Sequence, residues 1–191
     1  VKRSALAVAY FFSSAFSTLI ITFTALGVCL LYILKTGWYL SGSDVALLML
    51  DVFLLTLFGV AISSCINFFL STNGQSSAVG TIVSAGYGFV CGAYMPISSF
   101  SSGLQKVLSF LPGTYATSLI RNHAMQGAFS EMEKSGFPKE AVKAIRDAMD
   151  CNLYFFEKSV SHGAMYAVLC GSIAVLVLVY ILFNVILKKE S

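Results

Sequence analysis

Three stretches of the chain carry no charged residue: 4–34, 52–105 and 159–187. A helix needs about 20 apolar residues to cross the hydrocarbon core of a bilayer. The first and last runs therefore each predict one crossing helix. The middle run is too long for one, and "LSTNGQSS" at 70–77 interrupts it with turn chemistry. Ser76 or Ser77 is placed there to cap a following helix. The predicted spans are then 7–35, 45–70, 78–95 and 161–187. Backbone polar groups in lipid must bond within their own segment, so each span is expected to be α-helical. No strand pattern competes.

Segment 98–158 carries a different pattern. Leu104, Val107, Leu108 and Leu111 fall on one helical face, and Pro112-Gly113 ends that helix. Thr114 is placed to cap a second helix running to about Ala124. Pro138 sits where a further helix starts. On that helix Val142, Ile145 and Met149 share a stripe, and Lys143–Asp147 and Arg146–Asp150 are spaced for ion pairs. The expected fold is an all-α membrane protein with four transmembrane helices. External amphipathic or re-entrant helices precede the last of them. The whole chain, 1–191, reads as one transmembrane domain, with 98–158 as a helical cap within it. The opening "VKRS" without Met suggests the C-terminal part of a longer polypeptide.

Composition agrees with lipid as the solvent. The chain is 57% hydrophobic and 11% charged, with a mean hydropathy of +0.82. Soluble domains carry about 25% charged residues. A net charge of +3 is too small to indicate nucleic acid. Four crossings place both ends on one side, and Lys2, Arg3, Lys188 and Lys189 favour the cytoplasm for them. Lys and Arg counted alone in 98–158 favour the inverse. Of the five cysteines, Cys29, Cys65, Cys91 and Cys170 lie in apolar runs, and none has metal or redox spacing.

The chemistry of an enzyme is not found. "GQSSAVG" at 74–80 lacks the Lys and the spacing of a phosphate-binding loop. His123 and His162 lie in different segments, and neither is assigned a metal or catalytic role. Ser84 is followed by Ala and has no intramembrane His partner, which disfavours a serine protease. No cofactor is expected in this chain.

Small and polar residues instead form lanes. Gly80, Ser84, Gly88 and Gly92 recur every four residues, a spacing that allows close helix approach, either between moving or paired subunits or within one. Ser14, Thr18 and Thr22 form a hydroxyl lane, and Gly59, Ser63 and Asn67 form another. They either line a path or bond back to their own helices. Asp51, inside the second span, requires a partner or a wet cavity.

Taken in order, several motifs resemble a family. They are "INFFLSTNGQSSAVGTIVS", "GFVCGAYMPIS", "SSGLQKVLSFLPGTYATSLIRNHAMQG" and a last span ending in Lys-Lys. The chain resembles the C-terminal two-thirds of a bacterial type-2 ATP-binding cassette (ABC) exporter permease. The resemblance rests on an exit motif of Gly92, Tyr94, Pro96, Ile97 and Ser98, the Leu111-Pro112 break, and Arg121. It implies a bacterial cell membrane, pairing with a second permease subunit as a homo- or heterodimer, and ATP hydrolysis on a separate ATPase subunit. The substrates implied are drugs, lipids, polysaccharides or peptides. The first two spans of that family have no counterpart here. The alternative is a membrane scaffold or anchor subunit that recruits a partner without transport.

Overall fold

The computed structural model describes residues 3–156 and 158–186. The expected terminal residues Lys2, Lys188 and Lys189 lie outside them. The chain is helical almost throughout. Helices α1 (Arg3–Thr36), α2 (Gly42–Asn67) and α3 (Asn73–Val90) come first. A short 3-10 turn, Ile97–Ser99, leads into α4 (Ser102–Leu108), α5 (Pro112–Lys134) and α6 (Lys139–Ala148). A two-stranded hairpin, β1 (Tyr154–Phe155) and β2 (Lys158–Ser159), precedes α7 (His162–Ile186). That hairpin corrects the expectation that no strand would form. It is too short to show an alternating pattern in sequence.

Three helices are long and apolar enough to cross a membrane: α1 from Ala5, α2 and α7. The expected fourth span differs. Segment 78–95 is helical only to Val90, and its helix starts earlier, at Asn73. At 18 residues α3 is about 27 Å long at 1.5 Å per residue, slightly short of a hydrocarbon core of about 30 Å. It also opens on Asn73, Gly74, Gln75, Ser76 and Ser77, which lowers its hydropathy below that of the other three.

Local chemistry sets the helix ends. Ser41 and Asp44 form a reciprocal capping box at the start of α2. Thr72 and Gln75 do the same for α3. The cap of α3 is thus Thr72, not Ser76 or Ser77, because Gln75 stands three residues on to return the bond. The break at Pro112 occurs as expected, with Pro112 in the first turn of α5. Leu111, not Thr114, occupies the cap position. The Thr114 hydroxyl donates back to the Leu108 carbonyl at 2.9 Å, tying α4 to α5. Helix α5 continues past Ala124 to Lys134 and turns there at Gly136, whose φ is +85°.

The spans α1, α2 and α7 pack on one another through Phe11, Ala15, Val60 and Ala61, with Leu176, Val177 and Tyr180 alongside. Helix α5 lies against α2 and α7. Its apolar contacts are Ala116 with Phe58 and Leu169, and Tyr115 and Leu119 with Leu153 and Met165. Helix α6 closes over Phe129 through Val142 and Cys151. Of the expected α6 stripe only Val142 is buried; Ile145 and Met149 are exposed. On α4 Leu108 is buried, whereas Leu104 and Val107 are exposed. Helix α3 has no buried residue and makes only sparse contacts.

The closest approach of α5 to the bundle is at Gly127. A Cβ there would stand 2.0 Å from the carbonyl oxygen of Tyr39 and 2.4 Å from its carbonyl carbon. Gly127→Ala is expected to destabilise the fold by about 1–3 kcal/mol through overpacking against rigid backbone. Gly171→Ala has nothing within 4 Å to meet and serves as the control. Thermal unfolding in detergent compares the two, and equal melting temperatures would disprove the contact.

Candidate functional site

Helix α5 is neither apolar nor charged enough to sort itself by hydropathy, yet much of it is buried. Two polar groupings, on different faces, explain how. Ala116, His123 and Gly127 turn toward α2, α7 and the α1–α2 loop. Ser118, Arg121 and Asn122 turn toward the corner that follows α6.

The second face builds the exit turn. Arg121 donates through Nη1 to Asp150 Oδ2 at 3.1 Å and to the Met149 carbonyl at 3.3 Å. Its Nη2 donates to the Gly92 carbonyl. The Asp150 carboxylate accepts the backbone N–H of Ile97 and, at 3.0 Å, that of Ser98. Ser98 Oγ donates to the Ala148 carbonyl at 3.1 Å. From α5, Ser118 donates to the Asp150 carbonyl at 2.7 Å and Asn122 to the Cys151 carbonyl at 2.9 Å. Asp150 has φ +54° and Gly92 has φ +80°. Asp tolerates that left-handed region better than most residues. At Gly92 a Cβ would also strike the Ile97 side chain at 2.9 Å. Beside this corner, burial pushes the Cys151 thiol up from its ordinary range, against the opposing fields of Arg146 and Arg121. The Cys151 side chain packs against Phe129 and Val142.

Of the residues grouped from sequence, Gly92, Ile97, Ser98 and Arg121 meet in this network, Pro96 directly precedes Ile97, and Pro112 begins the helix that carries Arg121. Tyr94 does not join them: it is exposed and lies back over Gly88, beside the Phe89 ring. The two ion pairs expected along α6 do not form. Arg146 bonds Gln126 Oε1 at 2.8 Å and stacks on Phe129, and Asp150 is taken by Arg121. Asp147 accepts instead from Asn152 at 2.8 Å and Tyr154 at 3.1 Å.

The ladder is not one continuous helical face, because α3 ends at Val90 and Gly92 belongs to the turn. Nor does a helix among the described residues close on it. Gly80, Ser84 and Gly88 line one wall of a cavity of about 300 Å³, with Phe58, Gly59 and Ser63 of α2 opposite. Tyr87 and Cys91 crowd the Gly113 end of that cavity, within 2.6 and 2.7 Å of a Cβ placed on Gly113.

The two hydroxyl lanes face each other. Ser14, Thr18 and Thr22 of α1 and Ser63 and Asn67 of α2 line a second cavity, of about 500 Å³. The same hydroxyls bond back to their helices, Thr18 to the Ser14 carbonyl at 2.8 Å and Thr22 to the Thr18 carbonyl at 3.0 Å. Thr56 donates across to Thr22 at 3.2 Å. Lining and back-bonding thus coexist. Asp51 does not line this cavity. It is fully enclosed, with His123 Nδ1 at 2.5 Å from Oδ2 and the Tyr166 hydroxyl donating to Oδ1 at 2.6 Å. A partner for Asp51 is foreseeable from sequence, since no other charge lies between Asp44 and Lys106. Its identity is not, because His123 and Tyr166 lie far along the chain.

Comparison with models of known families, with characterised proteins and with solved structures returns no match.

The Arg121–Asp150 pair is partly shielded from water, so its removal carries more than a surface pair's cost. Arg121→Ala is expected to lower stability by about 1–3 kcal/mol, since it removes the counter-charge of the Asp150 carboxylate and the Arg121 donor to the Gly92 carbonyl. Chymotrypsin cleavage after Tyr94 should quicken in parallel. With Asp150→Asn in a double-mutant cycle, a coupling of about 0.5–3 kcal/mol is expected. Strict additivity would mean that the pair does not hold the turn.

Proposed function

We propose that this chain is a transmembrane permease subunit of an ATP-driven ABC exporter. In this reading it crosses the membrane four times, α3 included, with both ends cytoplasmic and 98–158 outside. A second permease subunit pairs with it, and a separate ATPase chain supplies the energy. Its substrate belongs among drugs, lipids, polysaccharides and peptides.

One observation carries the reading. The residues behind the resemblance lie in two parts of the sequence, yet Gly92, Ile97, Ser98 and Arg121 meet in one turn at the head of the bundle. Irregular backbone beside crossing helices is tolerated only where protein or a water-filled cavity surrounds it. The hydroxyl-lined cavity between α1 and α2 and the glycine-lined one between α2 and α3 are compatible with helices that part and close. A missing neighbour is a natural occupant of the second, because small residues favour close helix approach.

Two experiments test this. The subunit, purified in mild detergent from its native membrane, should bring with it an ATPase chain whose hydrolysis is vanadate-sensitive. Expressed alone, the chain should neither bind nor hydrolyse ATP. A stable partner without nucleotide hydrolysis would favour the scaffold instead. For topology, single cysteines at Ser102 and Lys139, in a background without native cysteines, should react with an impermeant maleimide on intact cells. Labelling at Ser191→Cys in their place would invert the orientation.

A further inference from the structure

Asp51 is enclosed within a helix long and apolar enough to cross a membrane. Both of its oxygens are engaged. The Tyr166 hydroxyl donates to Oδ1 at 2.6 Å, which makes the carboxylate the acceptor on that side. On the other, His123 Nδ1 stands 2.5 Å from Oδ2, a distance that places one proton between them. When His123 Nδ1 is the donor in that contact, each Asp51 oxygen accepts and the carboxyl is in its ionised form. An isolated charge at such a position is costly unless an opposite charge stands beside it. Among the described residues, the only basic side chain bonded to Asp51 is His123. It becomes that opposite charge when its second nitrogen, Nε2, also holds a proton.

The second proton has a way in. The His162 ring stands edge-on to that of His123, with 5.6 Å between centroids. His123 is buried, whereas His162 is exposed at the head of α7. Helix α2 contributes Asp51, and α7 contributes His162, Tyr166 and, one turn beyond, Cys170. Helix α6 contributes Arg146, whose field reaches His162. Lys35 in the last turn of α1 is exposed.

We propose that the Asp51–His123 pair is a binding site for one proton, loaded from the aqueous side of the α5–α6 cap through His162. Proton loss leaves the carboxylate without its counter-charge in a site closed to water. That weakens the junction between cap helix α5 and spans α2 and α7, so proton occupancy governs how tightly the cap sits. The proposal does not depend on the export reading.

The chain has only two histidines, so nitrogen-15 histidine labelling gives two ring systems. His123→Gln and His162→Gln assign them. In lipid nanodiscs near neutral pH, His123 should carry protons on both ring nitrogens. Asp51→Asn keeps the size and an acceptor oxygen but removes the charge, and should turn His123 neutral. His162→Gln should leave His123 charged but slow exchange of its Nε2 proton with water several-fold. A neutral His123 in the unmodified protein overturns the proposal by itself, whatever the fate of the variants. So does a charged His123 that Asp51→Asn leaves unchanged, and unaltered exchange in His162→Gln removes the entry route. Failure of an ATPase to co-purify would bear on the export reading alone.

Discussion

A carboxylate inside an apolar helix cannot stand alone, and the arrangement of this chain follows from what Asp51 requires. Desolvating it costs several kcal/mol unless donors and a counter-charge replace water. The partners come from α5 and α7, so three helices distant in sequence must meet at one level. Helix α5 would not otherwise enter an apolar bundle. Its buried face includes Thr114, Ser118, Asn122 and His123, groups that cost energy to bury without partners. All are partnered, and no buried side-chain polar atom among the described residues lacks a hydrogen bond. Polar satisfaction decides where this helix lies, and the apolar contacts of Ala116 and Leu119 then fix how closely.

The other face of α5 exports that constraint to the exit turn. Because His123 fixes the rotation of the helix, Arg121 and Asn122 are turned toward the α6 corner. Arg121 then bridges Asp150 and Gly92 in one fork, the planar geometry that suits simultaneous contact with a carboxylate and a carbonyl. The turn from Gly92 to Ser98 has no regular ladder of its own beyond one 3-10 turn. Its N–H groups at Ile97 and Ser98 are satisfied from a residue some fifty positions on. That long-range dependence makes the end of α3 a part of the cap.

What was legible in the sequence was whatever a local rule governs. The apolar runs gave α1, α2 and α7, and Pro112 and Pro138 marked helix starts, because hydropathy and proline geometry act within a few residues. The misplaced caps were also local: the cap of α3 is Thr72, because Gln75 completes its capping box, and that of α5 is Leu111, directly before Pro112 and ahead of Thr114. The α6 ion pairs failed for a different reason. Arg146 found a buried aromatic ring and an amide, and Asp150 found two backbone donors and a guanidinium, all stronger than a solvated pair worth about 0.3–0.5 kcal/mol. The Asp51 cluster is assembled from three segments, and only its need for a partner was written locally. Glycine spacing likewise registered that α3 offers a smooth face, but not whether anything in this chain would fill it.

That unfilled face gives α3 an uneven attachment. At its C-terminal end Tyr87 packs on Phe58, its hydroxyl accepts the Gly113 N–H at 3.3 Å, and the Gly92 carbonyl is held by Arg121. Toward its N-terminal end Gly74 and Gly80 have no neighbour within 4 Å, and the cavity opens between α3 and α2. Local stability tracks such differences in contact density, so the two ends are not equivalent. The attachment of α3 is therefore concentrated at the turn that Arg121 and Asp150 hold, while its small residues face the cavity, where a Cβ on Gly80 would meet nothing within 4 Å and a neighbouring helix could approach closely.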